Sequence, residues 1–138
     1  MQGNDFVKWL IRSPLHGFIS GGVMLITVTG RKSGRPISTP VEYYEMDDTL
    51  YVVSGRDRTW WRNLRGGAYV TLRLRGREVK GRGKSILDEK TVAARLSRII
   101  ARYPSRARFF GVRVDEGKPN AEDVARVAKE RLVIQIRV

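Results

Sequence analysis

The sequence predicts an α+β fold, in which a mainly antiparallel β-sheet closes on itself, or nearly so, and helices pack outside it. Short β-branched runs separated by turn residues fill residues 23–86, two amphipathic helical segments follow, and one apolar run ends the chain. Strands and helices do not alternate, which disfavours a Rossmann or P-loop fold. With 138 residues the chain has the length of one domain, residues 1–138, with a substantial core.

Three strands are predicted in the first part of the sheet. Residues 23–29 are rich in β-branched side chains and predict a buried strand. A polar turn leads to a second strand at residues 38–46, and Asp47-Asp48 forms a hairpin turn into the third, at residues 50–54.

A short helical segment and three more strands complete the predicted sheet. The aromatic segment 59–64 fits one or two helical turns, and residues 69–74 show the period of two that is typical of a half-buried strand. A turn at residues 75–77 leads into a glycine-interrupted strand at residues 78–86. The apolar residues of 133–138 predict the last strand.

Three helices are predicted from capping residues and apolar spacing. Asp88 can cap a helix over residues 88–102, along which apolar side chains recur at helical intervals. Asn120 begins a second capping arrangement, for a helix over residues 120–131. A third, short helix is predicted near the start, at residues 6–10.

The composition excludes several kinds of catalytic site. There is no cysteine, which excludes disulfides, thiolate nucleophiles and cysteine-based zinc sites. The single histidine, His16, excludes multi-histidine metal sites, and its place near a turn favours a packing role over proton donation. The uncharged stretch 17–30 is too short and too rich in glycine to span a bilayer, and no signal peptide is recognisable. We therefore expect a cytoplasmic protein without a metal site.

The charge balance points to an anionic partner. Lys and Arg number 27 against 14 Asp and Glu, which gives a formal net charge of +13. Such a charge suits nucleic acid, because Lys and Arg release counterions from phosphates, and it equally suits a small polyanion such as a phosphorylated cofactor. A solvated basic surface that maintains solubility would have the same composition.

The segment Gly-Arg-Lys-Ser-Gly-Arg at residues 30–35 is the most informative motif. Two glycines allow tight turning and close backbone approach, while cations and a hydroxyl can bind a phosphate or carboxylate. The segment lacks the spacing and the following helix of a Walker loop, which disfavours nucleotide hydrolysis. An ordinary solvated hairpin turn would also accommodate these residues.

Motifs in other parts of the chain add specificity to this turn. Their order and spacing resemble those of the deazaflavin-dependent nitroreductase family, whose members use coenzyme F420. The resemblance covers about residues 15 to 110. The matching motifs are Thr29-Gly-Arg-Lys-Ser-Gly-Arg-Pro36, Thr39-Pro40, Val52-Val-Ser-Gly55, Trp60-Trp-Arg-Asn-Leu64, Val70-Thr-Leu72 and Tyr103-Pro-Ser105.

The resemblance implies a split β-barrel, similar to FMN-binding barrels, that binds F420 through its phosphodiester, oligoglutamate tail and deazaflavin ring. It assigns Arg31, Lys32 and Ser33 to the phosphate or tail, with Gly34 giving access to the backbone. The residues implied to lie near the ring or to close its pocket are Thr39, Pro40, Ser54, Gly55, Trp60 and Asn63. The arginines expected to form a basic groove for the tail are Arg56, Arg58, Arg62 and Arg65.

Two residues are candidates for a catalytic role. Ser54, or solvent, would stabilise charge that develops on the acceptor, and Tyr103 occupies a position that lies near the substrate in the nitroreductases. Arg106 and Phe109 stand where those relatives have further tyrosines, which leaves the substrate open.

The resemblance implies an F420-dependent oxidoreductase that transfers a hydride from C5 of the deazaflavin to a quinone, an enone or a nitro compound. FMN or haem in the same barrel is the alternative, and the cationic turn favours the longer-tailed F420 over FMN. A nucleic-acid-binding role is disfavoured, because the sequence has neither a recognition-helix motif nor paired aromatics on adjacent strands. We further expect a homodimer, while the N-terminal segment either covers the pocket or contacts a membrane.

Overall fold

A seven-stranded antiparallel sheet dominates the computed structural model, which describes residues 22–138. The predicted helix at residues 6–10 and His16 lie outside the described residues. The sheet order is β2-β1-β5-β6-β9-β4-β3. Its strands are β1 (Val23–Thr29), β2 (Pro36–Glu42), β3 (Tyr44–Met46), β4 (Thr49–Gly55), β5 (Ala68–Leu74), β6 (Arg77–Ile86) and β9 (Arg131–Arg137), while β7 (Val114–Asp115) and β8 (Lys118–Pro119) form a separate hairpin.

The sheet curls until its two edges approach each other. Strands β2 and β3 lie at opposite edges, yet only Tyr43 separates them in the sequence. One residue cannot cross a flat sheet whose strands are about 4.8 Å apart. The curled antiparallel sheet confirms the predicted split-barrel fold. The single strand predicted at residues 38–46 is wrong, because its two halves pair with different neighbours, β1 and β4.

The concave side of the sheet forms the first hydrophobic core. Side chains from β1, β4, β5, β6 and β9 meet there, and a short 3-10 helix, Trp60–Leu64, is packed against them. Leu64 is completely buried, and Gly83 of β6 leaves room for it, since a Cβ there would lie 3.3 Å from the Leu64 Cδ1. The helical turns predicted for the aromatic segment are therefore present and cover part of the barrel interior.

Three helices cover the opposite face of β3, β4 and β9 and form a second core. They are α1 (Glu89–Arg102), α2 (Arg106–Phe110) and α3 (Ala121–Glu130). Both predicted caps are present: Asp88 accepts the Thr91 N–H at 2.9 Å, and Asn120 accepts the Asp123 N–H at 3.0 Å. Helix α2 and the β7–β8 hairpin were not predicted, because segments this short carry no readable periodicity.

Two of the tight turns have the left-handed backbone that their residues allow. Asp47 and Asp48 have φ values of 53° and 59°, and Arg75 and Gly76 have values of 50° and 78°. Two successive positive φ values are typical of the type I′ turns that join twisted antiparallel strands. Both hairpins therefore lie where the sequence predicts them. Among the described residues, no helix has the length and apolar character to cross a membrane.

Candidate functional site

The glycine-containing turn between β1 and β2 is held by its own backbone and by Ser33. The Gly30 N–H donates to the Arg35 carbonyl at 2.9 Å, and the Gly34 N–H donates to the Gly30 carbonyl at 2.8 Å. The Arg35 N–H donates to the Ser33 Oγ at 3.1 Å. A Cβ at Gly30 would lie only 2.6 Å from that oxygen, so a larger residue here would displace the Ser33 hydroxyl.

Asn63 joins this turn to the 3-10 helix. Its Oδ1 accepts the backbone N–H of Arg31 at 3.0 Å, and its Nδ2 donates to the Trp60 carbonyl at 3.0 Å. The Arg31 guanidinium also donates to the Arg65 carbonyl. The Oδ1 of Asn63 therefore holds the turn against the helix, while the Nδ2 bond stays within the helix and orients the amide.

A cationic cleft of about 560 Å³ lies between the turn and the 3-10 helix; we call it the anion cleft. Four of its nine lining residues are cationic, and among the described residues that line it none is Asp or Glu. Two of these cations, Arg62 and Arg65, lie over the buried Trp61 ring, 5.6 and 5.2 Å from its centroid. The lining residues are Gly30, Arg31, Lys32, Ser33, Ile37, Thr59, Arg62, Asn63 and Arg65.

A second cleft of about 200 Å³ lies where β2 approaches β4; we call it the strand cleft. Trp60 and Ser54 line it and are each 7% exposed, and the Ser54 hydroxyl donates to the Gly55 carbonyl at 3.2 Å. Thr59 lines the anion cleft while its two neighbours line the strand cleft, so one short segment separates the two. The strand cleft is lined by Pro40, Val41, Glu42, Val52, Val53, Ser54, Gly55, Arg58, Trp60 and Arg131.

A third depression, of about 680 Å³, continues from the strand cleft; we call it the end groove. The two share Gly55, Arg58 and Arg131, which form the junction between them. The end groove is additionally lined by Arg56, Asp57 and Glu130. The three depressions thus follow one another along the segment that runs from β4 through the 3-10 helix.

The structure brings most of the sequence-predicted residues together in two groups. One group lies on the anion cleft and consists of Arg31, Lys32, Ser33 and Asn63, and the other lies on the strand cleft and consists of Pro40, Ser54, Gly55 and Trp60. Gly34 and Thr39 line neither cleft. Gly34 adopts a φ of +70° in the turn, and Thr39 lies opposite the buried Ile26 on the interior side of the sheet.

Arg56 has a structural role in this fold. Its guanidinium donates to the carbonyls of Leu87, Ala128 and Arg131 at distances of 2.8, 2.9 and 3.0 Å. These bonds hold together the C-terminal ends of β6 and α3 and the start of β9. The predicted cofactor contact by Arg56 therefore competes with three hydrogen bonds that the folded chain already makes.

Tyr103 lies apart from the three depressions. It is buried in the second core, its hydroxyl donates to the Glu45 carbonyl at 2.7 Å, and its ring centroid lies 5.5 Å from that of Tyr44. Burial raises the pKa of Tyr44 to about 12. The structure does not bring Tyr103 together with Ser54, the other predicted catalytic residue.

Glu42 and Arg131 line the strand cleft and were missed by sequence reasoning. Arg131 is the register partner of Gly55 across β9 and β4, and Glu42 forms an ion pair with Arg106 of α2. Both positions depend on contacts between distant parts of the sequence. The flanking residues carry no local signal that could have identified them.

Solved structures similar to this one share its fold at low sequence identity. A protein of unknown function from Agrobacterium tumefaciens is 19% identical with a TM-score of 0.59, and the match covers 97% of this chain and 54% of that one. A FAD and heme binding protein from Mycobacterium smegmatis is 14% identical with a TM-score of 0.53, over 84% of this chain and 60% of that one. A putative pyridoxamine 5′-phosphate oxidase from Listeria innocua is 15% identical with a TM-score of 0.52, over 97% and 90% respectively. The chain thus spans little more than half the length of the first two.

The sequence comparison identifies the family. No curated protein matches the chain. Residues 13–127 match the family described as F420H(2)-dependent quinone reductase. The matched range includes the turn, the helices α1 and α2, and every lining residue of the anion cleft and the strand cleft except Arg131. The match supports the F420-dependent oxidoreduction implied by the sequence motifs, while the acceptor, whether a quinone, an enone or a nitro compound, stays a prediction. The chain belongs to the F420H(2)-dependent quinone reductase family.

Proposed function

We propose that this protein binds reduced F420 along the anion cleft and the strand cleft and transfers a hydride to a quinone, an enone or a nitro compound. The observation that carries the proposal is a cleft with four cations and no acid among its described lining residues, directly beside a second cleft whose lining includes the buried Val52, Ser54 and Trp60. When bound, the cofactor supplies the hydride chemistry. The protein contributes binding, orientation and exclusion of water.

The donors of the anion cleft fit a phosphodiester and a chain of carboxylates. Lys32 and Arg62 are exposed and offer charged donors, and Ser33 of the turn also lines the cleft. Arginine forks match carboxylates in a bidentate way. Because the guanidinium of Arg31 already donates to the Arg65 carbonyl, we expect Arg31 to shape the cleft as well as to contact the anion.

The strand cleft suits one face of a planar ring. Trp60 is a rigid apolar wall, and Pro40 of β2 presents no backbone N–H. Ser54 provides the one hydroxyl among the described residues that line this cleft, and its present partner, the Gly55 carbonyl, is a neighbour in the chain that it can exchange for a ligand atom. These residues would orient the ring while the charged tail lies in the anion cleft.

A fluorescence titration of the purified protein with F420, and in parallel with FMN, tests the proposal. We expect F420 to bind more tightly than FMN, and Lys32→Ala to weaken F420 binding about 10- to 100-fold, since a charged hydrogen bond contributes about 1.5–3 kcal/mol. Lys129→Ala, at an exposed lysine of α3, is the matched control and should bind F420 as the wild type does. Absence of F420 binding at tens of micromolar, or tighter binding of FMN, contradicts the proposal.

A further inference from the structure

We infer that the end groove receives the electron acceptor, and that Arg131, with Arg58 beside it, stabilises the negative charge that the acceptor gains. The inference rests on the proposed function and deepens it, because it names the acceptor side of the site and the class of compound that fits there. The acceptor class is a neutral planar compound whose carbonyl or nitro oxygen becomes anionic when it is reduced.

The order of the three depressions supports this assignment. The anion cleft and the strand cleft meet at residues 58–60, and the strand cleft and the end groove meet at Gly55, Arg58 and Arg131. A ligand whose charged tail occupies the anion cleft places its ring in the strand cleft, in the middle of the series. The end groove then lies next to the ring, on the side away from the tail.

The acids of the end groove lie outside its junction with the strand cleft. Arg58 and Arg131 line both depressions, whereas Arg56, Asp57 and Glu130 line the end groove alone. The acid of the strand cleft, Glu42, forms an ion pair with Arg106. The junction is therefore positive, while the rest of the groove has two acids and one arginine, Arg56, whose guanidinium is already bonded to three carbonyls. A carboxylate on the far end of an acceptor would meet Asp57 and Glu130 and be repelled.

Packing against two aromatic rings holds the Arg131 side chain in place. Its guanidinium carbon lies 5.5 Å from the Phe110 centroid and 5.8 Å from the Phe109 centroid, and the residue is half-buried. Such cation–π contacts restrict the guanidinium without using its N–H donors. Phe109 is 57% exposed, so it offers an apolar surface beside the fixed charge. A positioned cation costs little reorganisation when charge develops on a neighbouring oxygen.

The charge balance of the reaction defines what such a group would do. A hydride brings two electrons and one proton to an electrophilic atom of the acceptor, which is reduced as F420 is oxidised. The new electron pair is delocalised onto a carbonyl or nitro oxygen, which then takes a proton from water. Arginine stays protonated at any physiological pH, so Arg131 stabilises the oxyanion by charge and hydrogen bonding and does not supply the proton.

The test uses the full-length protein with oxidised F420 bound and a nitrophenol as a probe, because its phenolate absorbs visible light. We expect the apparent pKa of the bound nitrophenol to fall by about one unit or more in the wild type, since an opposite charge within about 4–6 Å favours the ionised form. Arg131→Gln should lose most of this shift and Arg131→Lys should keep part of it. Arg108→Gln, at an exposed arginine of α2 that lines none of the three depressions, should retain the wild-type shift.

Turnover with reduced F420 adds a second measurement. At saturating reduced F420, Arg131→Gln should lower kcat/KM for a quinone or enone about 10- to 100-fold, and an acceptor bearing a carboxylate should react more slowly than its neutral amide. If Arg131→Gln does not fold, Arg58→Gln at the same junction replaces it, because Arg58 is exposed. Normal F420 binding together with an unchanged nitrophenol pKa and unchanged kcat/KM would overturn the inference and leave the proposed function standing. If the wild-type protein itself does not bind F420, the proposed function is overturned instead.

Discussion

Replacing Asn63 with alanine tests whether the cleft depends on the link between the turn and the 3-10 helix. The substitution removes the acceptor for the Arg31 N–H and the donor to the Trp60 carbonyl, both 3.0 Å away. Each hydrogen bond contributes about 1 kcal/mol, so the free energy of unfolding should fall by about 2 kcal/mol. For a domain of this size the loss corresponds to a Tm lower by about 6–8 °C.

Thermal unfolding by circular dichroism measures the stability, and F420 titration measures the site. Asn120→Ala is the matched control, because it also removes two side-chain hydrogen bonds, to the Asp123 N–H and to Asp115, but at the start of α3. We expect it to lower stability by about 1–2 kcal/mol without changing F420 affinity. Asn63→Ala should lower both. If both variants lose stability and bind F420 equally well, the reasoning about the turn is refuted.

Three further predictions concern residues outside the cleft. The hydrogen bonds from Arg113 hold the pKa of Asp123 below its ordinary value of 3.8, so its stabilising effect is present above about pH 4 and is lost as the pH falls through the lowered pKa. The Tm difference between the wild type and Asp123→Asn should therefore narrow below pH 4 in a thermal melt series. Gly81→Ala should destabilise the protein by about 1–3 kcal/mol in urea unfolding, because its Cβ would lie 2.8 Å from the Arg137 carbonyl oxygen; an unchanged midpoint would contradict the contact. Tyr103→Phe should cost about 1 kcal/mol of stability for the lost bond to Glu45, with kcat/KM unchanged, and a large fall in kcat/KM would restore the catalytic role predicted from the sequence.

Local signals in the sequence predict the elements well, because each cap or turn is encoded within a few residues. Asp88 and Asn120 cap their helices with bonds to residues three positions later, and Asp47-Asp48 makes its hairpin with two positive φ values. The candidate binding residues on the turn are also predictable, since the turn is one continuous segment. Its connection to Asn63 was not predicted, because the resemblance to a known family implied only that Asn63 helps to close the pocket.

Roles that depend on distant pairing could not be predicted. Arg56 is one of several arginines in its segment, and only the fold places its guanidinium among three carbonyls from residues 87, 128 and 131. Arg131 lies at the junction of the strand cleft and the end groove because β9 pairs with β4. Tyr103 lies apart from the site because it follows α1 and bonds to Glu45 of β3. In each case the decisive neighbour lies at least 31 residues away in the sequence.

The single residue between β2 and β3 makes this part of the chain intolerant of changes in length. Tyr43 is buried, and its N–H donates to the Gly22 carbonyl at 2.9 Å. Because successive strand residues face opposite sides, one inserted residue here would exchange the inner and outer faces of β3 or force the two edges apart. By contrast, a Cβ at Gly76 or Gly117 would meet no atom within 4 Å, so the turns at residues 75–76 and 116–117 have room for inserted residues. The width of the strand cleft is thus determined by chain connectivity, so we expect natural variation in this cleft to arise by exchange of side chains and not by insertion or deletion at position 43.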